Sequence, residues 1–311
     1  MKLKNKKIIV NSPAKINLHL EVLGKRRDGY HELSMVMQNI NLTDYLEMEF
    51  NNNGKLNLSS NNKELSLKED NLIIKTAEIL RNYKHDNNLG ANIFLTKNIP
   101  IGAGLAGGSS NAAATLIGLN KLWELNFNKT TLHELACQLG SDVPFFLEGG
   151  SQYCFGRGEI LEKYKFNSEY CLILLKNPRV SISTSDVYKK YFNKFHKEYL
   201  SSENQFEKKR QYLRSMGFAN KDILKKGILI KNDLEIIVKS ENKSVNDALN
   251  LFSEIKECLC FSMSGSGPTC YGVFDNYEIA KFVYEKNKEV FAKFGFDAWL
   301  CEFLGEGVKF L

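Results

Sequence analysis

The sequence has little proline and no long apolar run. Its 311 residues include five prolines, and no stretch approaches the roughly 18 apolar residues that a membrane-spanning helix requires. The first residues are basic, and only residues 8–10 form an apolar run there before Asn11. That run is too short for the apolar region of an export signal. We therefore expect a cytoplasmic protein with no membrane partner.

Strong charge of one sign and paired cysteine motifs are also missing. The 42 Lys and Arg residues against 36 Asp and Glu residues give a net charge of +6, and the charges are scattered. This pattern contains no basic stripe of the kind that binds nucleic acid. The seven cysteines form no C-x-x-C pair, which favours reduced, buried thiols, and the spacing of the five histidines fits no known metal-binding motif. We expect no nucleic acid and no obligate protein partner.

The first fifty residues alternate between apolar and polar side chains, which predicts strands over residues 8–50. Residues 24–29 are polar with a glycine at each end and predict a hairpin turn. Lys15 and Asn17 lie two apart on the first strand, so their side chains project to the same side, about 7 Å apart. Such a pair can hold a phosphate or a substrate hydroxyl, or it can belong to an ordinary solvent-facing surface.

Residues 100–110 are rich in glycine and serine and lie between a predicted strand (91–96) and a predicted helix. Glycines let backbone N–H groups converge on an anion, and the start of a helix adds unpaired N–H groups. The segment therefore predicts a phosphate-binding loop, with a plain glycine-rich turn as the alternative. Ser109 or Ser110 is the expected N-cap. The apolar stripe of the helix comprises Ala112, Leu116, Leu119 and Trp123.

Two known nucleotide motifs do not fit this loop. No lysine occurs between Lys97 and Lys121, so the lysine of a P-loop is missing. The glycines at 102, 104 and 107 match G-x-G-x-x-G, but the acidic strand-end residue of a dinucleotide site is not found about 20 residues later. This argues against a dinucleotide oxidoreductase.

Two further segments have the composition of functional loops. Thr131 and Glu134 have capping-box spacing at the start of a helix over 131–139, which Gly140 would end. Asp142 follows directly and is either a catalytic base or the N-cap of the next helix. Residues 263–268 contain two serines and two glycines between apolar strands and predict either a second donor-rich loop or a tight hairpin.

The second half of the chain has a different order of elements. It predicts a strand at 170–175, helices over about 185–250, a strand–loop–strand unit at 259–274, a long helix at 277–294 and a strand at 297–303. Strands interleaved with helices indicate an α+β protein. We place a domain boundary near residue 160.

Together these segments resemble the GHMP kinases, the superfamily of galactokinase and of homoserine, mevalonate and phosphomevalonate kinases. Residues 100–110 are similar to the nucleotide loop of that family and residues 264–268 to its C-terminal glycine motif. Residues 13–18, 24–33, 140–146 and 231–234 fit as well, in the family's order. The resemblance implies a two-domain α+β fold with ATP in the cleft between the domains. Residues 1–160 would form a domain like ribosomal protein S5 domain 2, and residues 161–311 a ferredoxin-like domain.

Segments 13–18 and 24–33 are similar to the branch of the superfamily whose acceptor carries a cytidine diphosphate group. This resemblance implies ATP and Mg²⁺ as cofactors and transfer of the γ-phosphoryl group to the 2-hydroxyl of a cytidine diphosphate-linked methylerythritol, a step of the non-mevalonate isoprenoid route. Asp142 would take the hydroxyl proton, and Lys15 would hold the hydroxyl and Asp142 in register. The implied substrate-binding residues are Asn17, Tyr30, His31, Thr184 and Tyr188. The implied ATP-binding residues are Pro100, Ile101, Gly102, Ala103, Gly104, Leu105, Ala106, Gly107, Gly108, Ser109 and Ser110.

The sequence departs from the family pattern within the loop, where Ala103 and Ala106 replace common glycines. An alanine is tolerable at these two positions if its φ angle stays negative. Ser110 is the candidate magnesium ligand. The adenine contacts are expected among residues 55–100. Another GHMP kinase, acting on homoserine or mevalonate, and a catalytically silent sugar-sensing relative are the alternative functions. The segment Asp28, Gly29, Tyr30, His31 argues against the first, and the lysine–carboxylate pair argues against the second.

Overall fold

The structure, a computed structural model, describes residues 6–164, 169–218, 224 and 230–311. In chain order its elements are β1 (Lys7–Lys25), β2 (His31–Asn51), β3 (Leu56–Ser60), α1 (Leu72–Lys84), β4 (Gly90–Thr96), α2 (Gly107–Leu122), α3 (Lys129–Leu139), α4 (Val143–Glu148), β5 (Ser151–Gly156), β6 (Ile160–Lys163), β7 (Cys171–Lys176), α5 (Thr184–Phe195), a 3₁₀ turn (His196–Glu198), α6 (Glu203–Ser215), β8 (Lys231–Asn232), α7 (Glu235–Glu241), α8 (Lys243–Ser253), β9 (Cys260–Met263), β10 (Cys270–Phe274), α9 (Tyr277–Lys293), β11 (Asp297–Glu302) and β12 (Lys309–Phe310).

The first sheet is built around the long antiparallel pair β1–β2. Its strand order is β12-β1-β2-β4-β3, while β5 pairs with the first half of β2 and β6 pairs with β5. The β1–β2 register shifts between Pro13 and Ala14 and again between Asn17 and His19. Such bulges bend and twist a strand locally. The segment that carries Lys15 and Asn17 therefore lies between two irregularities of the sheet.

Helices α1 to α4 cover one face of this sheet. The apolar stripe of α2 lies wholly in the core that they form, as predicted, and its members are at most 4 % exposed. Trp123 also donates its indole N–H to the carbonyl of Gly90 at 3.0 Å. Burial of this stripe holds α2 against the sheet and so fixes the position of the loop that precedes it.

The second sheet is antiparallel with the order β11-β7-β10-β9, and α8 and α9 pack on one of its faces. Its other face packs on β1: Leu172, Leu174 and Tyr271 share a buried cluster with Ile16 and Leu18. The strand β1 is therefore buried on both sides. Its polar residues Lys15 and Asn17 are only 4 % and 2 % exposed, which excludes the interpretation that they form a solvent-facing surface.

Most of the predicted elements are confirmed, but two predicted caps are wrong. Helix α2 begins at Gly107 after Ala106, so Ser109 and Ser110 lie inside its first turn. Helix α3 is capped by the side chain of Asn128, which accepts from the N–H of Thr131. The chain enters both helices earlier than predicted because Ala106 and Asn128, and not the later hydroxyl residues, have the non-helical backbone of a cap.

The second half has the expected α+β order. Within the predicted helical range 185–250, residues 219–223 and 225–229 lie outside the described part of the chain. The domain boundary near residue 160 stays a prediction, and two short strands of the second half, β8 and β12, pair with β1 in the first sheet. Among the described residues, no helix combines the length and the apolar character needed to cross a bilayer.

Candidate active site

A single cleft of about 1040 Å³ collects most of the predicted site residues. It is lined by β1, by the loop before α2, by the start of α4, by α5 and by the loop between β9 and β10. A concave site of this size suits ligands as large as nucleotides. All the catalytic and substrate-binding residues implied by the resemblance line it, namely Lys15, Asp142, Asn17, Tyr30, His31, Thr184 and Tyr188.

Lys15 and Asp142 face each other in the middle of the cleft. The Lys15 Nζ lies 3.5 Å from Oδ2 of Asp142 and 2.5 Å from Oδ1 of Asn17. The side chain of Lys15 is 5 % exposed and that of Asp142 is 30 % exposed, so the carboxylate is open to a ligand while the ammonium is held from behind. An ammonium beside a partly open carboxylate can orient a hydroxyl group and accept its proton.

Asp142 occupies the N-cap position of α4, but its side chain makes no capping hydrogen bond. The backbone turns into the helix with Pro144 in its first turn, a residue that needs no N–H partner there. The alternative that Asp142 serves only as a cap is therefore not supported. Its carboxylate is left to face Lys15.

The loop at 100–110 curves around the cleft and is bonded to β1, where the N–H of Lys15 donates to the carbonyl of Leu105 at 3.1 Å. Gly102 and Gly104 have φ angles of +61° and +73°, which glycine adopts without strain. The first N–H groups of α2 have no partner within the helix and lie at the cleft wall at Gly107, Gly108 and Ser109. This is a site for an anion.

Three residues of this loop have features that the sequence did not indicate. Ala106 has a φ of +52°, so the condition of a negative angle is not met there. This left-handed turn directs the chain into α2. The side chains of Leu105 and Ser110 are buried and do not line the cleft. The Ser110 hydroxyl accepts from that of Ser12 at 2.8 Å, so it is directed into the core and not into the cleft.

The loop between β9 and β10 forms the opposite wall, at the turn of a hairpin. Ser264 donates its hydroxyl to the carbonyl of Gly104 at 3.0 Å, which joins the two glycine loops. Asn232 holds the second loop through the carbonyls of Met263 and Gly265, at 2.6 and 2.8 Å. Residues 263–268 are thus both a hairpin and a loop of the cleft. The clamp by Asn232 was not predicted, because it joins segments that are distant in sequence.

Thr184 begins α5 and lies beside this second loop. Its hydroxyl oxygen is 2.7 Å from that of Ser266. The Thr184 hydroxyl therefore already has a hydrogen-bond partner, and this bond connects α5 to the second glycine loop.

Aromatic side chains line the far end of the cleft. The His31 ring stacks on Tyr188 with centroids 4.9 Å apart, and Tyr199 meets His31 edge-on at 5.9 Å. Tyr188 thus stacks on the imidazole, and Tyr30 is left 52 % exposed. The guanidinium of Arg157 lies over the Tyr30 ring at 4.7 Å. Arg157 was missed by the sequence analysis, because nothing local marks it.

His31 has the properties of a neutral hydrogen-bonding group. Its Nε2 is buried and has no partner among the described residues, which is costly unless a ligand or water supplies one. Burial, together with the charge of Lys25, holds the pKa of His31 below its usual value of 6.5. The neutral form of the ring therefore predominates at pH 7.

Carboxylates are scarce in the cleft. Asp142 is the one acidic residue among the described lining residues, and the described part of the chain has no cluster of three or more His, Cys, Asp or Glu side chains that could hold a metal ion. Mg²⁺ commonly takes one or two carboxylates and otherwise substrate phosphates and water. The residues present fit a magnesium ion that arrives with a nucleotide.

The residues beside the loop entrance complete the cleft. Leu65, Ser66, Asn71 and Leu72 line it, within the range in which adenine contacts are expected. Lys97 also lines it, but its ammonium is paired with Asp44 at 2.6 Å and donates to the carbonyl of Ile99 at the same distance. Lys97 therefore anchors the start of the loop.

Two family models match this chain, and so do relatives along its whole length. Residues 71–150 match the model of the GHMP kinases N terminal domain, and residues 216–293 match that of the GHMP kinases C terminal domain. The chain is 56 % identical over 310 residues to a protein of Prochlorococcus marinus subsp. pastoris named 4-diphosphocytidyl-2-C-methyl-D-erythritol kinase, covering 100 % of this chain and 99 % of the relative. A relative of the same name from Prochlorococcus marinus strain MIT 9215 is 57 % identical over 309 residues, with 99 % of each chain covered.

Solved structures give the same result for the fold. A crystal structure of 4-(cytidine 5'-diphospho)-2C-methyl-D-erythritol kinase superposes with a TM-score of 0.72 at 26 % identity, covering 97 % of this chain and 100 % of that one. Homoserine kinase from Cytophaga hutchinsonii superposes with a TM-score of 0.73 at 16 % identity, covering 98 % and 97 %, a similarity of fold alone. The expected two-domain α+β fold of this superfamily is confirmed.

Proposed function

The chain belongs to the 4-diphosphocytidyl-2-C-methyl-D-erythritol kinases of the GHMP kinase superfamily, and from this membership we propose how its cleft performs the reaction. The reaction transfers the γ-phosphoryl group of ATP to the 2-hydroxyl of 4-diphosphocytidyl-2-C-methyl-D-erythritol, a step of the non-mevalonate isoprenoid pathway. The observation that carries the proposal is the Lys15–Asp142 pair, 3.5 Å apart and beside the glycine loop.

Asp142 is the general base in this proposal. Its carboxylate accepts the proton of the 2-hydroxyl as the oxygen attacks the γ-phosphorus, and the bond to the leaving ADP oxygen breaks. Lys15 lies beside the same carboxylate and places its ammonium next to the oxygen that gains negative charge. Asn17, at 2.5 Å from the Lys15 Nζ, keeps the ammonium in place. Phosphoryl transfer asks a protein mainly for positioning and charge stabilisation, which these groups supply.

The loop at 100–110 binds the triphosphate. Its cleft-facing backbone and the first turn of α2 provide N–H donors and the positive end of the helix dipole. Mg²⁺, when bound with ATP, supplies neutralisation of phosphate charge, and we assign its ligands to the phosphates and water because Asp142 is the one described carboxylate in the cleft. Among the residues of this loop that line the cleft, Ser109 is the one with a hydroxyl group.

The aromatic end of the cleft binds the cytosine. The exposed ring of Tyr30 offers a face for stacking, and the neutral His31 offers a hydrogen bond to the edge of the base. Tyr188 supports the imidazole from behind by stacking on it. Asn17, which is bonded to Lys15, and Thr184, which is bonded to Ser266, contact the part of the substrate that is nearer the reacting centre.

The enzyme is proposed to work in the cytoplasm with two small molecules and to need no protein or nucleic acid partner. All seven cysteines lie in the described part of the chain as free thiols. Free thiols suit a reducing compartment, where ATP is also abundant.

The test is an acceptor panel. The purified chain is incubated with ATP and Mg²⁺ and with 4-diphosphocytidyl-2-C-methyl-D-erythritol, homoserine, mevalonate or galactose, and ADP formation is measured. We expect turnover with the cytidyl acceptor alone, and a new phosphomonoester on its 2-oxygen by phosphorus NMR. Turnover with homoserine or mevalonate would indicate another GHMP kinase, and no turnover with any acceptor would indicate a catalytically silent relative.

A further inference from the structure

Glu32 is a buried carboxylate at the foot of the hairpin that carries Tyr30 and His31. It is 2 % exposed and follows His31 directly on β2. Its oxygens accept from Arg26 and from Arg210, both at 2.6 Å, and from the backbone N–H of Gly156 at 3.1 Å. A buried carboxylate is stable only with such partners. Glu32 therefore joins the β1–β2 turn, helix α6 and the β5–β6 turn.

The first connection from Glu32 to Tyr30 runs through the β1–β2 turn. The guanidinium of Arg26 bonds Glu32 on one side and Asp28 on the other, where Nε lies 3.2 Å from Oδ2. The other oxygen of Asp28 accepts from the backbone N–H of Tyr30 at 3.1 Å. The backbone N–H of Arg26 also donates to the carbonyl of Tyr30 at 2.8 Å. These bonds fix the backbone of Tyr30 relative to Glu32.

The second connection runs through the β5–β6 turn. Glu32 holds the N–H of Gly156, and the next residue, Arg157, places its guanidinium 4.7 Å over the Tyr30 ring. The side chain of Arg157 is in turn 3.8 Å from the carboxylate of Glu159. A cation over an aromatic face attracts it. This connection fixes the ring, whereas the first fixes the backbone.

Tyr30 needs this support because it has little packing of its own. It is 52 % exposed, in a turn whose residues 26–30 are exposed or half-buried. A side chain in such a place is normally free to move, and ordering it on ligand binding costs free energy. A ring that is already held in place avoids this cost.

We infer that Glu32 is a positioning residue for nucleobase recognition, which holds Tyr30 in place before the substrate binds by means of Arg26 and Arg157. The inference rests on the proposed function, in which Tyr30 stacks on the cytosine. Arg210 fixes the Glu32 carboxylate from α6. Glu32 itself is not a catalytic residue, since two arginines and a backbone N–H occupy its oxygens.

The test measures steady-state kinetics of Glu32→Gln, which keeps the size of the side chain and removes its charge. We expect the KM for the cytidyl substrate to rise about 5- to 20-fold, within the range of a lost aromatic–base contact. The kcat and the KM for ATP should stay within about twofold, because Lys15, Asp142 and the glycine loop are untouched. Glu162→Gln is the matched control: it removes another Glu–Arg contact of α6, with Arg214 at 2.7 Å, and should leave all three constants unchanged.

Glu32 is buried, so its variant can fail to fold, and Arg157→Met tests the second connection independently at a half-exposed site. The substrate KM should rise in Arg157→Met and recover in Arg157→Lys, which keeps a cation near the ring. In a Tyr30→Ala background, Glu32→Gln and Arg157→Met should each have little further effect on that KM, because both act through Tyr30.

The outcomes separate the inference from the proposed function. If Tyr30→Ala raises the substrate KM but Glu32→Gln and Arg157→Met do not, Glu32 has no positioning role while the nucleobase site stands. Additive effects in the Tyr30→Ala background, or equal losses in kcat and in ATP binding, also overturn the inference. If Tyr30→Ala itself leaves the substrate KM unchanged, the proposed nucleobase site is wrong and the inference falls with it.

Discussion

Replacing Gly104 by alanine tests whether the two glycine loops must touch for ATP to bind. Gly104 has a φ of +73°, a conformation that costs an alanine about 1–2 kcal/mol. A methyl group there would also overlap the carbonyl oxygen of Ser264 and would lie 2.9 Å from that of Gly267. These are backbone atoms, which cannot turn aside as a flexible side chain can. Overpacking of this kind adds about 1–3 kcal/mol, so the total destabilisation expected is about 2–5 kcal/mol.

The control for the backbone contribution is Gly295→Ala. Gly295 has a φ of +80°, and a methyl group there would have only the Asn177 amide nitrogen near it, at 3.6 Å. It should therefore cost about 1–2 kcal/mol. Thermal unfolding should show a lower midpoint for Gly104→Ala than for Gly295→Ala. The KM for ATP should rise about tenfold or more in Gly104→Ala alone, because the loop is displaced from the phosphates.

A Gly104→Ala variant that matches Gly295→Ala in both measurements would contradict the expected clash between the two glycine loops. That result would mean that residues 263–268 move away from the added methyl group with no loss in the free energy of unfolding. The contact between Ser264 and Gly104 would then have no part in shaping the phosphate site.

Three further predictions concern single residues of the cleft. Lys15→Ala should lower kcat and weaken binding of the cytidyl substrate together, and normal steady-state kinetics would remove Lys15 from the mechanism. Ala106→Gly should remove the strain of an alanine with a left-handed backbone, so the free energy of unfolding from chemical or thermal denaturation should be unchanged or should rise by up to about 1 kcal/mol. A fall in that free energy of more than about 1 kcal/mol would show that the backbone at Ala106 is not strained. Because burial and Lys25 keep the pKa of His31 below 6.5, the substrate KM should be constant from pH 8 to about 6.5 and should rise only as the pH falls through that lowered pKa and the ring becomes charged. His31→Gln should abolish the rise, and an unchanged pH profile in that variant would show that another group is responsible.

The elements that follow from local patterns could be predicted from the sequence. The stripe of α2 and the strand β1 each depend on residues a few positions apart, and the structure confirms both elements, although β1 is buried on both faces and not on one alone. The helix starts could be predicted less accurately, because several residues near a helix start can each serve as its N-cap. Asn128 caps α3 where the capping-box spacing favoured Thr131, and Ala106 precedes α2 in a conformation that alanine rarely adopts.

The site could be predicted only as far as the motif resemblance reached. Lys15 and Asp142 come from a strand and a distant helix start, and no periodicity shows that they meet. The burial of β1 on both faces depends on the second sheet, through residues such as Tyr271, whose hydroxyl donates to the Asn17 carbonyl at 2.8 Å. The bonds of Glu32 to Arg210 and of Asn232 to the second glycine loop are likewise contacts between distant segments, which a single sequence does not reveal.

The most direct test of the proposal that Asp142 is the general base is the kcat of Asp142→Asn with ATP and the cytidyl substrate. Asn keeps the shape of the side chain, and α4 should be unaffected because Asp142 makes no capping bond. We predict that kcat falls by about 10²–10⁴, the usual contribution of a general base, while ATP binds as in the unchanged protein. A fall of less than about tenfold would mean that the carboxylate facing Lys15 does not take the proton, and the proposed mechanism would be wrong.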